Sequence, residues 1–554
     1  MLCWLVLLLL PLLPLLLLLL PAVALHRCLG ASLARLASLQ QQVAWGALGW
    51  AATWQRYRLE QSTRHAARSQ HQALARCLRG ARRAPGGSTD MSTFRNLLPL
   101  TKPSQAPEEQ NGGQEQLPAS SQYPQEAALQ ATVLGVAALG QAHPATMSPG
   151  ATARVTPASP WPCPLPWLGP ILGQAGPPGA EDPRALLLAA LRSPGLRALE
   201  ARTATELLDV FSGLEAAGQE LVEAIAAGDP GAPLPGRAAE VRAALERGPR
   251  GLALQLWPQL QVVVTLDAGG QAEAAAALRA LWCHGLAFFS PAYAASGGLL
   301  ALNLWPDQPQ GIYLLPPGIP FVELLPAKHG ALEDDSRTLL LAEAQQGEEY
   351  ELVLTTHASL TRCLPALPPS PGPAGSAHPY CCPSRCRLGD VIQVVGAHNQ
   401  CPVVRFVDRL GQALSVRGEV TSERLFSQAL GRAVVQWPGA KLLDHCCVES
   451  SILDSSEGSA LHYEVFLELR GLRNLSEENR NKLDLCLQDA SPHYKFLRFR
   501  GSVGPSHVHL VARGAFSALR AALAARLSSS APPAMPRVLR HRQLAQLLQR
   551  RLLS

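Results

Sequence analysis

Three short stretches carry residue types suited to nucleotide and carboxylate chemistry: Tyr293-Ala294-Ala295-Ser296-Gly297, Arg387-Leu388-Gly389-Asp390 and Met535-Pro536-Arg537. The first lies in FFSPAYAASGGLLALNLWP, a small-residue loop between apolar runs, where short side chains let a ligand approach the backbone. The second sets a cation and a carboxylate close together at the entry to a strand. An Asp in that position either meets a ligand or caps the backbone of its own turn, and the residues alone leave both readings open. Several chemistries are excluded by their missing signatures: the chain has no phosphate-binding Gly-x-x-x-x-Gly-Lys-Ser/Thr loop, no Gly-x-Ser-x-Gly elbow and no His-Glu-x-x-His helix.

The elements that would position these residues are legible in the hydrophobic pattern. Residues 260–266, LQVVVTL, read as a buried strand, Asp267 to Gly270 as a turn, and the Ala/Leu stretch 271–282 as a helix, which is the strand–loop–helix unit of an α/β domain. Ala/Leu helices are expected at 185–227 and 236–248. Short strands are expected at 286–289, 299–304, 311–315, 320–325, 350–355, 391–395 and 403–408, paired as hairpins of a partly closed β subdomain. After about residue 420 the expected order is helix 422–437, strands 440–449 and 461–469, helix 476–489, strands 496–500 and 507–512, and helix 514–527. That order implies a small α+β domain with helices on one face of an antiparallel sheet. The fold class is therefore α/β and α+β multidomain, with a large domain over 91–420 and a small one over 421–554.

Length and composition frame this reading. The 554 residues suffice for two to four domains, and 47 Pro with 45 Gly predict long irregular connections. Residues 102–125 read as a linker. Residues 364–386 read as an inserted loop, since deleting them joins LTRC directly to RLGD. Cys363, His378, Cys381, Cys382 and Cys386 there lack the regular paired spacing of a zinc site, so no metal ligands are assigned. The net charge of +6 is small, and its basic residues cluster between Arg56 and Arg83, which argues against a nucleic-acid partner.

The N-terminus, MLCWLVLLLLPLLPLLLLLLPAVALHRC, directs the chain to a membrane. Residues 1–24 are either a signal peptide, with Ala22-Val23-Ala24 as the cleavage pattern, or a retained signal anchor. The expected location is the endoplasmic reticulum or nuclear envelope, with entry to the secretory pathway on cleavage; a retained anchor with basic flanks instead places the body on the cytoplasmic face. Residues 25–90 are expected to form an amphipathic helical segment whose basic end faces either lipid headgroups or solvent. Asn474-Leu475-Ser476 is a glycosylation sequon, relevant if that region is lumenal.

The three motifs, their order and the phrase LWPQLQVVV…GG…YAASGGLLALNLWP resemble the Gretchen Hagen family of acyl acid amido synthetases over roughly residues 93–545, with 126–240 matching loosely. The resemblance implies an adenylate-forming fold and ATP- and magnesium-dependent chemistry, in which a carboxylic acid becomes an acyl-adenylate that an amino acid then attacks. It also implies roles for Tyr293 beside the adenine, Ser296 in the same loop, and Arg387 and Asp390 at the nucleotide, with Asp390 on the ribose. Four family positions depart from the pattern: Ala295 replaces a Ser, Gly297 the magnesium-binding Glu, Cys386 an aromatic residue and Ala534 a Lys. The phosphate-binding Ser-Ser-Gly-Thr loop expected after Leu100 has no counterpart; Ala119-Ser120-Ser121 lacks the glycines.

Three of these losses, the phosphate loop and the groups replaced by Gly297 and Ala534, fall on positions that handle charge or phosphate, and removing even one such group costs about 2.7–4 kcal/mol of transition-state stabilisation. The expectation is a catalytically degenerate protein with no assigned catalytic residue and no cofactor, acting by binding or scaffolding at the endoplasmic reticulum, with a nucleotide or carboxylic acid as candidate ligand. Two alternatives stay open: an active ligase using ATP and magnesium, and a secreted or granule interaction protein without nucleotide binding.

Overall fold

The computed structural model describes residues 33–80, 94–95, 100–101, 125–163, 182–229, 231–295, 298–308, 311–318, 320–327, 337–355, 385–453, 460–526 and 535–553. The leader read at 1–24, nearly all of the 102–125 linker and residues 364–384 of the inserted loop lie outside them, as do Ser296, Gly297 and Ala534.

The chain opens with helices α1 (Leu33–Arg64) and α2 (Ala66–Gly80), strand β1 (Leu100–Thr101) and helix α3 (Gln125–Ala142). Next come β2 (Thr152–Arg154), α4 (Pro183–Arg192), β3 (Ala198–Thr203), α5 (Ala204–Ala216), α6 (Gly218–Ala227), α7 (Pro235–Glu246), α8 (Leu252–Leu256), β4 (Val262–Leu266), α9 (Ala272–Ala280) and β5 (Ala287–Phe289). Strands β2 to β5 form a parallel sheet in chain order, joined by helical crossovers. Side chains alternate across this sheet, so Val262 and Val264 pack with Val133 and Val136 of α3, while Val263 and Leu199 pack with the helices from α4 to α9.

The amphipathic segment expected at 25–90 is two helices that break at His65 and pack into the large domain: Leu48 joins the core around α3, and Leu59 and Ala66 join the one beneath Leu302 and Leu314. Among the elements the sequence did not show are two of this layer. Helix α3 shows no apolar stripe because it is buried on most sides, and β3 interrupts the helix expected over 185–227.

Strands β6 (Ala292–Ala295), β7 (Gly298–Leu302), β8 (Ile312–Leu314), β9 (Phe321–Pro326), β10 (Glu349–Thr355), β11 (Arg385–His398) and β12 (Cys401–Arg409) build a second sheet in the order β6-β7-β8-β12-β11-β10-β9. Here Arg385 and Cys386 belong to β11 and pair with Leu100 and Thr101, which moves the end of the inserted loop back from 386 to before 385.

The small domain follows a hairpin of β13 (Leu414–Val416) and β14 (Glu419–Thr421). It comprises α10 (Glu423–Val435), β15 (Lys441–Glu449), β16 (Tyr463–Arg470), α11 (Glu477–Ala490), α12 (Pro492–Phe499), β17 (His507–Leu510), α13 (Ala515–Arg526) and α14 (Arg542–Gln549). The strand expected at 496–500 is helix α12, started by Pro492 and by the Ser491 hydroxyl accepting from the Tyr494 N–H. That helix makes the return from β16 a crossover, so β17 runs parallel to β16 and the sheet is mixed rather than antiparallel. Helices also cover both faces instead of one: Cys447, Val465 and Leu467 face α10 and α11, whereas Cys446, Val448 and Phe466 face α13 and α14.

Candidate functional site

Tyr293 and Asp390 are far apart in the sequence and adjacent in space: the buried Tyr293 hydroxyl donates to Asp390 Oδ2 at 2.5 Å. The backbone explains the meeting. Gly389 has a φ of 79°, a conformation that a side chain would strain, and bulges interrupt the pairing of β11 with both β10 and β12 close by. The kink turns Asp390 toward the large-domain core, where Tyr293 packs against Tyr313 at 5.8 Å and Phe406 at 6.2 Å. Burial pushes the Asp390 carboxyl above its ordinary value; the Tyr293 hydrogen bond and the Arg409 charge oppose the shift without cancelling it. Burial likewise raises the Tyr293 phenol, and the adjacent Asp390 charge adds to the effect.

Arg387 points into a different set of bonds. Its Nε lies 3.1 and 3.0 Å from the two Glu351 oxygens and its guanidinium NH2 lies 2.6 Å from Oε2, while the Gly389 N–H donates to Glu351 Oε1 at 3.1 Å. Both side chains are buried, at 5% and 1% exposure. The forked geometry satisfies the guanidinium along one edge and holds the Arg-Leu-Gly-Asp turn against β10.

Beside this pair, Tyr313 donates to Asp267 Oδ1 at 3.0 Å and Arg279 reaches Asp267 Oδ2 at 2.5 Å. The Asp267 to Gly270 turn thereby closes over the aromatic cluster, with Gly269 next to the Tyr293 ring.

Arg537, the last residue of the third motif, is buried elsewhere, at the seam between the domains. It donates to Asp444 Oδ1 at 2.5 Å and to the His445 carbonyl at 2.7 Å, and pairs with Glu273 of α9 at 3.0 Å. Burial would raise the Glu273 carboxyl, but Arg537 and His445 outweigh it and hold the group well below the usual range. Arg520 similarly bridges Asp444 and Asp209 of α5, and Glu215 of α5 receives Arg470 and Arg513. Asp209, Glu215 and Glu273 of the large domain thus accept arginines from the small one, whereas Arg409 of the large domain pairs in the opposite sense with Glu423.

The Tyr293 and Asp390 positions come together, Arg387 sits three residues before Asp390 in its own ion pair, and the backbones of Ala295 and Cys386 lie in β6 and β11. Asn474 is exposed in the turn before α11. Sequence reasoning missed Glu351, Tyr313, Asp267 and Glu273. Glu351 was detectable as the interior acid of the strand EYELVLT, set between Tyr350 and Leu352, where an unpaired carboxylate would be costly.

Comparison with known proteins places these features in context. Residues 214–279 match the family profile "Vertebrate GH3, N-terminal domain", and residues 425–543 match "GH3 family C-terminal domain". The chain is 68% identical over 560 residues to the human "GH3 domain-containing protein", covering 100% of both chains. It is 28% identical over 335 residues to the "Indole-3-acetic acid-amido synthetase GH3.8" of Oryza sativa subsp. indica, covering 58% of this chain and 51% of that one. Among solved structures it superposes on "AtGH3.15 acyl acid amido synthetase in complex with 2,4-DB" with a TM-score of 0.67 at 18% identity, covering 91% of this chain and 96% of that chain.

Proposed function

Because the chain belongs to the GH3 family, whose plant members are ATP-dependent acyl acid amido synthetases, we propose that it is a catalytically degenerate member acting as a binding or scaffolding protein at the endoplasmic reticulum. The observation that carries this reading is how the retained motif residues spend their polar atoms. Arg387 is committed to Glu351, Asp390 accepts from Tyr293, and Arg537 binds Asp444 and Glu273. A residue kept for a fold can survive loss of the reaction, whereas the positions where charge would act on phosphate or magnesium hold Gly297 and Ala534.

The surface of α1 supports the membrane part of the proposal. Trp50, Trp54 and Tyr57 are exposed at 59%, 39% and 63%, and Arg58 lies over the Trp54 ring at 4.8 Å. Arg56, Arg64 and Arg68 are exposed on α1 and α2. Aromatic rings with neighbouring arginines suit the interface between acyl chains and anionic headgroups. Among the described residues no helix is long and apolar enough to cross a membrane, so the anchoring role falls to the leader and this surface.

Thermal-shift titration with ATP and magnesium tests the first part, and saturable stabilisation accompanied by amide formation would overturn it. Flotation with phosphatidylserine vesicles tests the second: Trp50→Ala/Trp54→Ala should release the protein, and unchanged flotation would remove α1 from the account. Endoglycosidase sensitivity at Asn474 would exclude the cytoplasmic orientation.

A further inference from the structure

Away from the seam and the Tyr293 cluster, the small domain gathers histidines around one carboxylate. His462, just before β16, and Glu464 within it stand two residues apart, and His507 and His509 stand two residues apart on β17. The strands run parallel with Glu464 opposite His507 and Phe466 opposite His509, so the period of two puts all four side chains on one face. His507 Nδ1 lies 3.8 Å from Glu464 Oε1, His462 Nε2 lies 3.1 Å from the same oxygen, and His509 Nε2 lies 2.5 Å from Oε2. The His462 and His507 rings are 4.0 Å apart between centroids.

The hydrogen bonding of His462 is the informative detail. Its Nδ1 lies 3.0 Å from the Ala460 carbonyl and must carry a hydrogen to be there, which leaves a lone pair on Nε2 of the neutral ring. That lone pair faces a carboxylate oxygen, so a proton or a cation has to lie between them. A backbone carbonyl holding the far nitrogen of an imidazole is the usual way a ligating histidine is oriented. Gly504 fits the same picture: a Cβ there would come within 2.9 Å of the Ala460 oxygen and 3.2 Å of His462 Cβ, so only glycine leaves this ring its place.

We propose that His462, Glu464 and His507 form a site for a zinc ion, with His509 bonding the free oxygen of Glu464 and water completing the tetrahedron. Zinc bonds of about 2.0–2.1 Å in tetrahedral array require donor atoms roughly 3.3 Å apart. The observed separations of 3.1 and 3.8 Å bracket that value, and donor atoms of all three residues lie within 4.8 Å of one another. His462 and Glu464 are buried and fixed, whereas the His507 side chain is 49% exposed, which supplies both an entry path and the freedom to close the remaining gap. Zinc binding displaces the proton shared by His462 and Glu464 to solvent.

The test uses the full chain, stripped with chelator and titrated with zinc chloride by calorimetry, with bound metal counted by elemental analysis. About one zinc per chain is expected. Cobalt chloride should give the visible absorption of a tetrahedral ion. His507→Ala, at a half-exposed position, should weaken binding by at least about tenfold, and His284→Ala, remote from the cluster, should not. Sub-stoichiometric uptake, or equal affinity in His507→Ala and the unmodified protein, would overturn the site and leave the cluster as a hydrogen-bonded network of histidines around Glu464.

Discussion

Replacing Glu351 with Gln separates the two roles that Arg387 could have. The guanidinium stays charged at 5% exposure, but its forked carboxylate partner becomes a neutral amide in which one acceptor oxygen is replaced by an NH2 that can only donate. Removing one member of a buried pair costs about 3–5 kcal/mol, equivalent to two to four orders of magnitude in the local opening equilibrium. Arg387→Met should cost a similar amount by stranding Glu351, although the Gly389 N–H would still donate to it. Combining Glu351→Leu with Arg387→Met should cost less than either single change, the remaining loss being about 1–3 kcal/mol for the unpaired Gly389 N–H. Hydrogen exchange by mass spectrometry suits the measurement, because a multidomain chain has no single unfolding free energy and the effect should concentrate in β10 and β11. If Arg387→Met leaves exchange in those strands unchanged and abolishes stabilisation by ATP, the arginine serves a ligand and the reasoning fails.

Two further perturbations read the same architecture. Tyr293→Phe removes the only hydroxyl of that ring and should cost about 1–3 kcal/mol in the aromatic cluster. Because the folded Asp390 carboxyl is raised, its contribution to stability is present at low pH and is lost as pH rises above about 3.9 through the folded value; Asp390→Asn should flatten that dependence in denaturant melts. Glu273 has the opposite sign: its folded value is lowered, so the stability it lends is present above about pH 4.3 and lost below it. Glu273→Gln should loosen the seam at pH 7 and remove the acid sensitivity, read as faster proteolysis between the domains; unchanged proteolysis would rule out Glu273 as a tie.

The strands from β4 to β12 other than β6 were legible because alternating or continuous apolar runs bounded by Gly and Pro specify them locally; Ala292–Ala295, read in sequence as part of a small-residue loop, is a strand through its pairing with β7. Helix α3 and strand β3 were not, since an element buried on most sides carries no periodic contrast with solvent. Residues 496–500 had a strand's composition, but the cap at Ser491 and Pro492 lay upstream and decided the outcome. The site divided in the same way. Its motif residues could be found by resemblance, but the partners that occupy them, Glu351 for Arg387 and Asp444 for Arg537, come from strands whose pairing depends on the whole fold. The His462–Glu464 and His507–His509 alternations were visible in sequence; their convergence required the parallel register created by the unexpected helix α12.

The most direct test of degeneracy is ATP–pyrophosphate exchange with magnesium and a panel of carboxylic acids, measured on the full chain and on Gly297→Glu. On the proposed reading the phosphate loop and the Lys position are both lost, so neither protein should exceed the background of an ATP-only control. Acid-dependent exchange above that background in the unmodified chain would contradict the account.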